Sequence, residues 1–240
     1  MVLGCAGSSF DEELRSPCSS YLVETAGAAI LLDCGFGSFE SYLNHLSETL
    51  LDAIFVSHAH ADHVADLEAF MDSSKVWRDQ PRLVASPETM ALIAPNSDSV
   101  PEGTLVFVSE GVQLELSTIE AQFSRTTHKI PTHAACLSIG GRRVVYCADT
   151  GPTWVVPPQF VGADLAIVEC TLKVRNENSS LFHLDAHEAG LLARELSAHP
   201  TLITHIPPRE NGETRLAIAH GVAPNADFVL ATPGLQLMVD

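Results

Sequence analysis

Apolar positions in this chain fall into short runs rich in β-branched residues, a pattern that predicts strands. Some runs, such as 53–56, are apolar throughout, which is typical of strands buried on both faces. Others alternate apolar with polar residues, which predicts strands that are buried on one face. The predicted strands are 1–3, 21–23, 28–32, 53–56, 83–85, 112–116, 119–123, 135–139, 142–148, 165–169, 201–204, 227–230 and 235–239.

Helical spacing of apolar side chains predicts a smaller set of helices between these strands. Pro87 after Ser86 is a favourable helix start, and Asp185 is a suitable N-cap. The predicted helices lie at 39–46, at 64–71, from 87 onward, at 186–196 and around 213–219. Strands outnumber helices and come in two batches that each end in helix-bearing units. We therefore predict one α/β (α+β) domain over 1–240, a four-layer αββα sandwich of two mixed sheets with helices outside.

Charge and cysteine content narrow the classes of function. Lys and Arg number 13 against 30 Asp and Glu, a formal net charge of −17. This acidity argues against binding to a phosphate backbone or to an anionic membrane surface. No long apolar run predicts a membrane span, and no signal peptide is recognised. The six cysteines form no C-x-x-C pair, so we expect small buried thiols in a reduced, cytoplasmic protein.

The richest cluster of polar side chains follows the predicted strand 53–56. His58, His60, Asp62 and His63 form an H-x-H-x-D-H motif at the junction between this strand and the next helix. Imidazole and carboxylate groups are good ligands for zinc and related divalent ions. A lone histidine here would more often be a loop or capping residue. Several such groups in an apolar neighbourhood would be costly to bury without a shared partner, so we expect a metal site.

Three further polar residues also lie at the ends of predicted strands. They are His128, Asp149 and His205. Each alone could be a turn residue, but together they would complete a two-metal site. His133 and His187 compete with them; His133 opens the next strand and His187 lies in the first turn of a helix. We expect both to be structural or solvent-facing.

The motifs HAHADH, TTHKIP, CADTG and ITHIPP, in this order, resemble the metallo-β-lactamase superfamily. Within it they are most similar to the phosphodiesterase branch, which contains ribonuclease Z and actinobacterial-type cyclic-nucleotide phosphodiesterases. The resemblance implies two divalent ions, zinc with manganese or iron as alternatives, and a bridging hydroxide that attacks phosphorus. The implied ligands are His58, His60 and His128 for one ion, Asp62, His63 and His205 for the other, and Asp149 as the bridge.

The same resemblance implies catalytic roles for further residues. In this branch a Glu-x-Thr motif and a later histidine provide an acid for the leaving group, which makes His183 the general acid and Glu169 its orienting partner. Asp62 and Asp149 complete the implied catalytic group. The alternative for His183 is a surface position ahead of a helix. Asp33 would support a ligand histidine through a hydrogen bond, or it would be a turn residue at a strand end.

The chain also departs from the branch. Asp149 follows His128 by only 21 positions, which leaves no room for the long arm with which ribonuclease Z grips transfer RNA. Asp66 and Ala148 stand where the branch usually has glycine. Neither change removes an implied ligand.

The residues alone support metal-assisted hydrolysis. The resemblance implies a metal-dependent phosphodiesterase that acts on a small phosphodiester, with a cyclic nucleotide such as cAMP as the first candidate. The alternatives are a hydrolase of lactones, esters or thioesters and a nuclease for short RNA, because the same metal centre would serve each. A regulatory protein without turnover is a further alternative, although it would be expected to have lost ligands. The resemblance also implies a homodimer as one candidate assembly.

Overall fold

Two β-sheets form the centre of the computed structural model, which describes residues 1–7, 16–45, 49–93, 103–177, 179 and 181–239. The first sheet has six strands in the order β1 (Val2–Gly4), β2 (Ser20–Glu24), β3 (Ala29–Leu32), β4 (Ala53–Phe55), β5 (Leu83–Ala85) and β6 (Leu105–Phe107). The second has seven, in the order β7 (Gln113–Leu116), β8 (Ile119–Arg125), β9 (His133–Ile139), β10 (Arg142–Tyr146), β11 (Leu165–Glu169), β12 (Thr201–Thr204) and β13 (Phe228–Leu230).

Each sheet is antiparallel along one part and parallel along the other. The pairs from β3 to β6 and from β10 to β13 are parallel, whereas β1 to β3 and β7 to β10 pair antiparallel. The hairpin between β9 and β10 turns at Gly140 and Gly141, whose φ angles are 56° and 83°. Positive φ values favour glycine, which explains why two glycines form this turn between the predicted strands 135–139 and 142–148.

Helices cover the outer faces of both sheets. They are α1 (Ser38–His45), α2 (Ala61–Val64), α3 (Leu67–Asp72), α4 (Pro87–Ile93), α5 (Ala186–Leu196) and α6 (Gly212–Val222), with a 3₁₀ helix at Pro158–Phe160. Asp185 caps α5, as predicted, by accepting a hydrogen bond from the Glu188 backbone. Within the described parts of the chain, no helix combines the length and apolarity that crossing a bilayer requires.

The hydrophobic core has three layers, one between the two sheets and one between each sheet and its helices. Along β3, Ile30 and Leu32 pack between the two sheets, while Leu31 packs towards α1 and α3. Along β11, Ile167 lies between the sheets, while Val168 packs towards α5 and α6. Since successive side chains of a strand point to opposite faces, each sheet is covered on both sides. The predicted αββα sandwich is confirmed.

Some sequence predictions differ from the structure. The segment 235–239 was predicted as a strand, but the structure places no strand there. Its alternation reflects burial, since Leu235, Leu237 and Val239 pack against the core between the sheets. Backbone pairing with Val2 involves the Leu235 carbonyl and the Gly234 N–H, each at 2.8 Å, and does not extend into a ladder.

Two other differences concern short elements. The predicted helix 64–71 consists of α2 and α3, separated at residues 65–66. Strand β6 was not predicted; unlike the equally short β5, its three residues are only half-buried or exposed. Position 46, predicted within the first helix, lies outside the described residues. All six cysteines are free thiols, and five of them are buried, as expected for small apolar side chains.

The two residues that depart from the family pattern, Asp66 and Ala148, have different local effects. Asp66, between α2 and α3, accepts a hydrogen bond from the Phe39 backbone N–H at 2.9 Å, in the first turn of α1. Its φ of −97° needs no glycine. Ala148 has a φ of 53°, in the left-handed region where glycine is favoured and alanine is strained. Asp66 therefore links two helices, whereas Ala148 adds local strain beside Asp149.

Replacing Asp66 with Ala should lower the free energy of unfolding by about 1 kcal/mol, because the first turn of α1 would lose its acceptor. Urea denaturation followed by circular dichroism measures this. Asp72→Ala is a suitable control, since Asp72 is exposed at the end of α3. Equal stability of the two variants would contradict the capping role of Asp66.

Candidate metal centre

Ends of strands that run in the same direction place the predicted ligands at one edge of the sandwich; β8 has antiparallel neighbours but runs in the same direction as β10, two strands away. Parallel strands direct their carboxyl ends to the same side, which is where sites form in α/β proteins. The strands β4, β8, β10 and β12 are followed there by short segments that carry all of the predicted ligands. These are His58, His60, Asp62 and His63 after β4, His128 after β8, Asp149 after β10 and His205 after β12.

The first cluster consists of His58, His60, His128 and Asp149. One ligand atom from each lies within 4.8 Å of the others. The His58 Nε2 and His128 Nε2 atoms lie 3.0 and 3.1 Å from His60 Nδ1. Both also approach Asp149 Oδ2, at 3.7 and 3.8 Å. This is a compact donor set of imidazoles and one carboxylate.

The second cluster consists of Asp62, His63 and His205, with ligand atoms again within 4.8 Å of one another. His205 Nε2 lies 3.2 Å from both Asp62 Oδ2 and His63 Nε2. Asp149 Oδ1 lies 3.3 Å from His63 Nε2 and 3.4 Å from His205 Nε2. The two oxygens of Asp149 thus serve different clusters.

Asp149 Oδ1 is itself a notable atom. It is buried and has no hydrogen-bond partner within the described structure. A buried carboxylate oxygen without a partner is costly unless a cation satisfies it. The donor set and this oxygen therefore fit a pair of divalent ions that share Asp149.

Hydrogen bonds on the outer nitrogens orient the imidazoles. The His63 Nδ1–H donates to Asp33 Oδ2 at 2.7 Å, and the His128 Nδ1–H donates to the Phe182 carbonyl at 2.8 Å. Both acceptors can only accept, so the proton is fixed on Nδ1 and the Nε2 lone pair faces the cluster. The hydrogen bond predicted between Asp33 and a candidate ligand histidine is therefore present.

Two hydroxyl groups extend this support to the other ligands. Ser57 Oγ donates to Asp33 Oδ2 at 2.7 Å, and it can therefore accept from His58 Nδ1 at 3.0 Å. Thr171 Oγ1 donates to Glu169 Oε2 at 2.6 Å and accepts from His205 Nδ1 at 2.8 Å. The Nε2 atoms of both histidines are left as electron-pair donors, as metal ligation requires.

The histidines at the centre differ in the direction in which their surroundings shift the pKa. Burial lowers the pKa of His58 and His128, which keeps these imidazoles neutral. Burial also opposes charge on His63, but the carboxylates of Asp149 and Asp33 raise its pKa well above the usual value. Burial would raise the pKa of Asp149, yet the neighbouring His205 and His63 hold it well below its usual value. Ligation requires the neutral imidazole, so a bound cation would compete with this charged form of His63.

The pair predicted from the Glu-x-Thr motif is present beside these clusters. His183 Nδ1 lies 3.0 Å from Glu169 Oε1 and 3.7 Å from Asp149 Oδ2. Burial lowers the pKa of His183, but the hydrogen bond to Glu169 and its charge outweigh burial and raise the pKa to about 9. Glu169 is held in turn by the Thr150 backbone N–H at 2.9 Å and by Thr171. His183 is thus a fixed imidazole next to Asp149.

The other histidines lie away from these clusters. His133 is buried at the start of β9, and the exposed ones are His45, His187, His199 and His220. Sequence reasoning did not assign the contacts of Ser57, Tyr146 and the Phe182 carbonyl. Tyr146 donates to Asp33 Oδ2 at 2.5 Å across 113 residues, a pairing that no local motif signals.

Comparisons with known proteins agree with this fold. A family model described as the beta-lactamase superfamily domain matches residues 28–206, and the chain therefore belongs to this superfamily. The probable metallo-hydrolase YhfI of Bacillus subtilis is 27% identical over 214 residues, covering 86% of each chain. The ribonuclease Z of Metallosphaera sedula is 24% identical over 243 residues, covering 79% of this chain and 82% of that protein.

Solved structures match along nearly the whole chain. The crystal structure of Bacillus subtilis YhfI, of the metallo-beta-lactamase fold, has a TM-score of 0.82 and 24% identity over 98% of this chain and 95% of its own. A diphosphatase from the PhnP family has a TM-score of 0.75 and 18% identity, covering 100% and 97%. The resemblance seen in the sequence motifs is confirmed, and the chain is a metallo-hydrolase by family.

Changing Asp33 to Asn should weaken zinc binding by about 10- to 100-fold, because an amide N–H would favour the wrong tautomer of His63. Isothermal titration calorimetry of protein stripped with a chelator measures this. Asp164→Asn is the control, since Asp164 pairs with Arg142 at the far ends of the strands. Zinc affinity that matches the control would contradict the orienting role of Asp33.

Proposed function

We propose that this protein is a two-metal phosphodiesterase for a small phosphodiester, with a cyclic nucleotide such as cAMP as the first substrate to test. The proposal rests most on one observation, that Asp149 lies between two imidazole-rich clusters and within 3.7 Å of the His183 Nδ1 atom. We further propose that residues 1–240 form a single hydrolase domain.

The proposal assigns each cluster to one ion. His58, His60 and His128 would hold the first, and a second set, Asp62, His63 and His205, would hold the other. Asp149 would be shared between the ions. Zinc suits these nitrogen-rich sets best, with manganese or iron as alternatives. When bound, the ions would supply a nucleophile from water at neutral pH and positive charge opposite the phosphoryl oxygens.

His183 would supply the proton that the leaving alkoxide needs. Its Nδ1–H bonds to Glu169, so Nε2 is the nitrogen that carries the second proton of an imidazolium. A pKa raised to about 9 keeps that proton bound at neutral pH. Glu169 stabilises the charged form and fixes the ring. An alkoxide leaves poorly without protonation, which is why this pair supports phosphodiester chemistry.

The surroundings of the centre support a small substrate. The interval between His128 and Asp149 is filled by β9, β10 and their two-glycine turn. The net charge of −17 is unfavourable for a long polyanion. One sequence relative is named a ribonuclease Z, which favours phosphodiester cleavage as the reaction type while leaving the substrate of this chain to be tested.

Zinc-loaded protein should hydrolyse bis-p-nitrophenyl phosphate and cAMP but neither a lactone nor a thioester. In Asp149→Ala the rate should fall by at least about a thousandfold, because both clusters lose their shared carboxylate. Chromatographic product assays measure the rates, circular dichroism checks folding, and Asp164→Ala is the control. Turnover of the lactone or thioester alone would contradict the phosphodiesterase assignment, and undiminished turnover in Asp149→Ala would contradict the two-metal centre.

His183→Ala should separate the two phosphodiesters. For cAMP, whose alkoxide needs protonation, kcat should fall by about 10²- to 10⁴-fold. For bis-p-nitrophenyl phosphate the loss should be far smaller, since p-nitrophenolate leaves without a proton. The exposed His187 on α5 provides the control change His187→Ala. Equal losses on both substrates would rule out the acid role of His183.

A further inference from the structure

Two adjacent residues in the segment between β11 and α5, Phe182 and His183, contact the candidate centre. The Phe182 carbonyl accepts the hydrogen bond that orients His128, at 2.8 Å. The next residue, His183, bonds to Glu169 at 3.0 Å. The path of the backbone at 182–183 therefore sets the tautomer of one candidate ligand and the position of the candidate acid.

Arg175 holds this part of the backbone. Its guanidinium donates to both carboxylate oxygens of Glu188, at 2.8 Å from Nε and 2.6 Å from a terminal nitrogen. The same terminal nitrogen donates to the His183 carbonyl at 2.5 Å. The Arg175 backbone N–H donates to Asp185 Oδ2 at 2.8 Å. One side chain thus joins the segment that carries His183 to the first turn of α5.

The Arg175–Glu188 pair is firmly anchored. The side chains of Arg175 and Glu188 are only 18% and 17% exposed, so their two-point hydrogen bonding is less screened than a surface ion pair. Asp185 and Glu188 also form the capping box at the start of α5. The two backbone N–H groups of that box are satisfied by Asp185 and Glu188 themselves, without a contribution from the arginine. The additional bond to the His183 carbonyl holds the segment that precedes α5, and it is not part of the helix cap.

We propose that Arg175 is a positioning residue for the metal centre. By fixing the His183 carbonyl on α5, it holds the Phe182 carbonyl against His128 and the His183 ring against Glu169. The effect on metal affinity follows from the contacts of His128, and the effect on proton donation rests on the proposed function. Lysine would keep the charge, but its single nitrogen lies one bond nearer the backbone than the terminal nitrogen of arginine and cannot replace Nε as well. It would therefore lose the two-point contact with Glu188 and weaken the bond to the His183 carbonyl.

The first test is zinc affinity of Arg175→Lys, measured by calorimetry on the full chain. Affinity should fall by about 3- to 10-fold relative to wild type, since His128 loses part of its orienting contact. Arg194→Lys is the matched control, because Arg194 is exposed on the last turn of α5, the helix that Arg175 contacts through Glu188. The melting temperatures of both variants are recorded without metal. Equal zinc affinity of the two variants would overturn the proposal.

The second test is a double-mutant cycle with His183→Ala, using cAMP and bis-p-nitrophenyl phosphate. Arg175→Lys should lower kcat for cAMP by about tenfold, with a smaller effect on the activated diester, because a misplaced acid matters most for a poor leaving group. With zinc at saturating concentration in all assays, Arg175→Lys should have no further effect on cAMP in the His183→Ala background. Multiplicative losses in the double variant would overturn the link to His183.

The two tests also separate this proposal from the assignment of the reaction. If the wild-type protein cleaves no phosphodiester, the proposed function fails, and the zinc titration alone decides the role of Arg175. If diesters are cleaved and Arg175→Lys matches Arg194→Lys in zinc affinity and in both rates, the positioning role fails while the function stands.

Discussion

A single buried carboxylate, Asp33, joins the two sheets at the edge where the candidate metal centre lies. It accepts hydrogen bonds from the Ser57 backbone and hydroxyl, each at 2.7 Å, from the Tyr146 hydroxyl at 2.5 Å and from His63 Nδ1 at 2.7 Å. A buried carboxylate is tolerated only when its lone pairs are satisfied in this way. The end of β3, the end of β4 and the end of β10 are thereby held at one fixed spacing. The orientation of the imidazoles, and hence the shape of both clusters, depends on that spacing.

Strained backbone conformations occur at the same edge of the sandwich. Three non-glycine residues that follow strands, Asp33, Ala148 and His205, have φ angles of 59°, 53° and 57°. L-residues adopt this left-handed region at a cost, and such positions often occur at functional sites. Here the turn carries the chain away from the sheet, so that Asp149 and its neighbours lie at the end of the sandwich instead of continuing a strand. The packed layers on both faces of each sheet supply the stability that this strain requires.

Local patterns in the sequence predicted much of this architecture, because apolar periodicity reports burial directly. The ligand motif at His58 was evident from spacing alone. Pairing partners were harder to predict, and segment 235–239 shows why, since its alternating side chains are buried although its backbone forms no strand. The hydroxyls of Ser57 and Tyr146 were not assigned to the site, because their partners are set by the packing of one sheet on the other. Thr171 was visible in the Glu-x-Thr motif, but its bond to His205 spans 34 residues and depends on the parallel pairing of β11 with β12.

The central claim is that strand ends from both sheets hold two divalent ions that share Asp149. The most direct measurement is anomalous X-ray scattering at the zinc edge from crystals of the zinc-loaded protein. Two peaks are expected, one among His58, His60 and His128 and one beside His63 and His205, with Asp149 between them. A single peak, or peaks outside these clusters, would contradict the account.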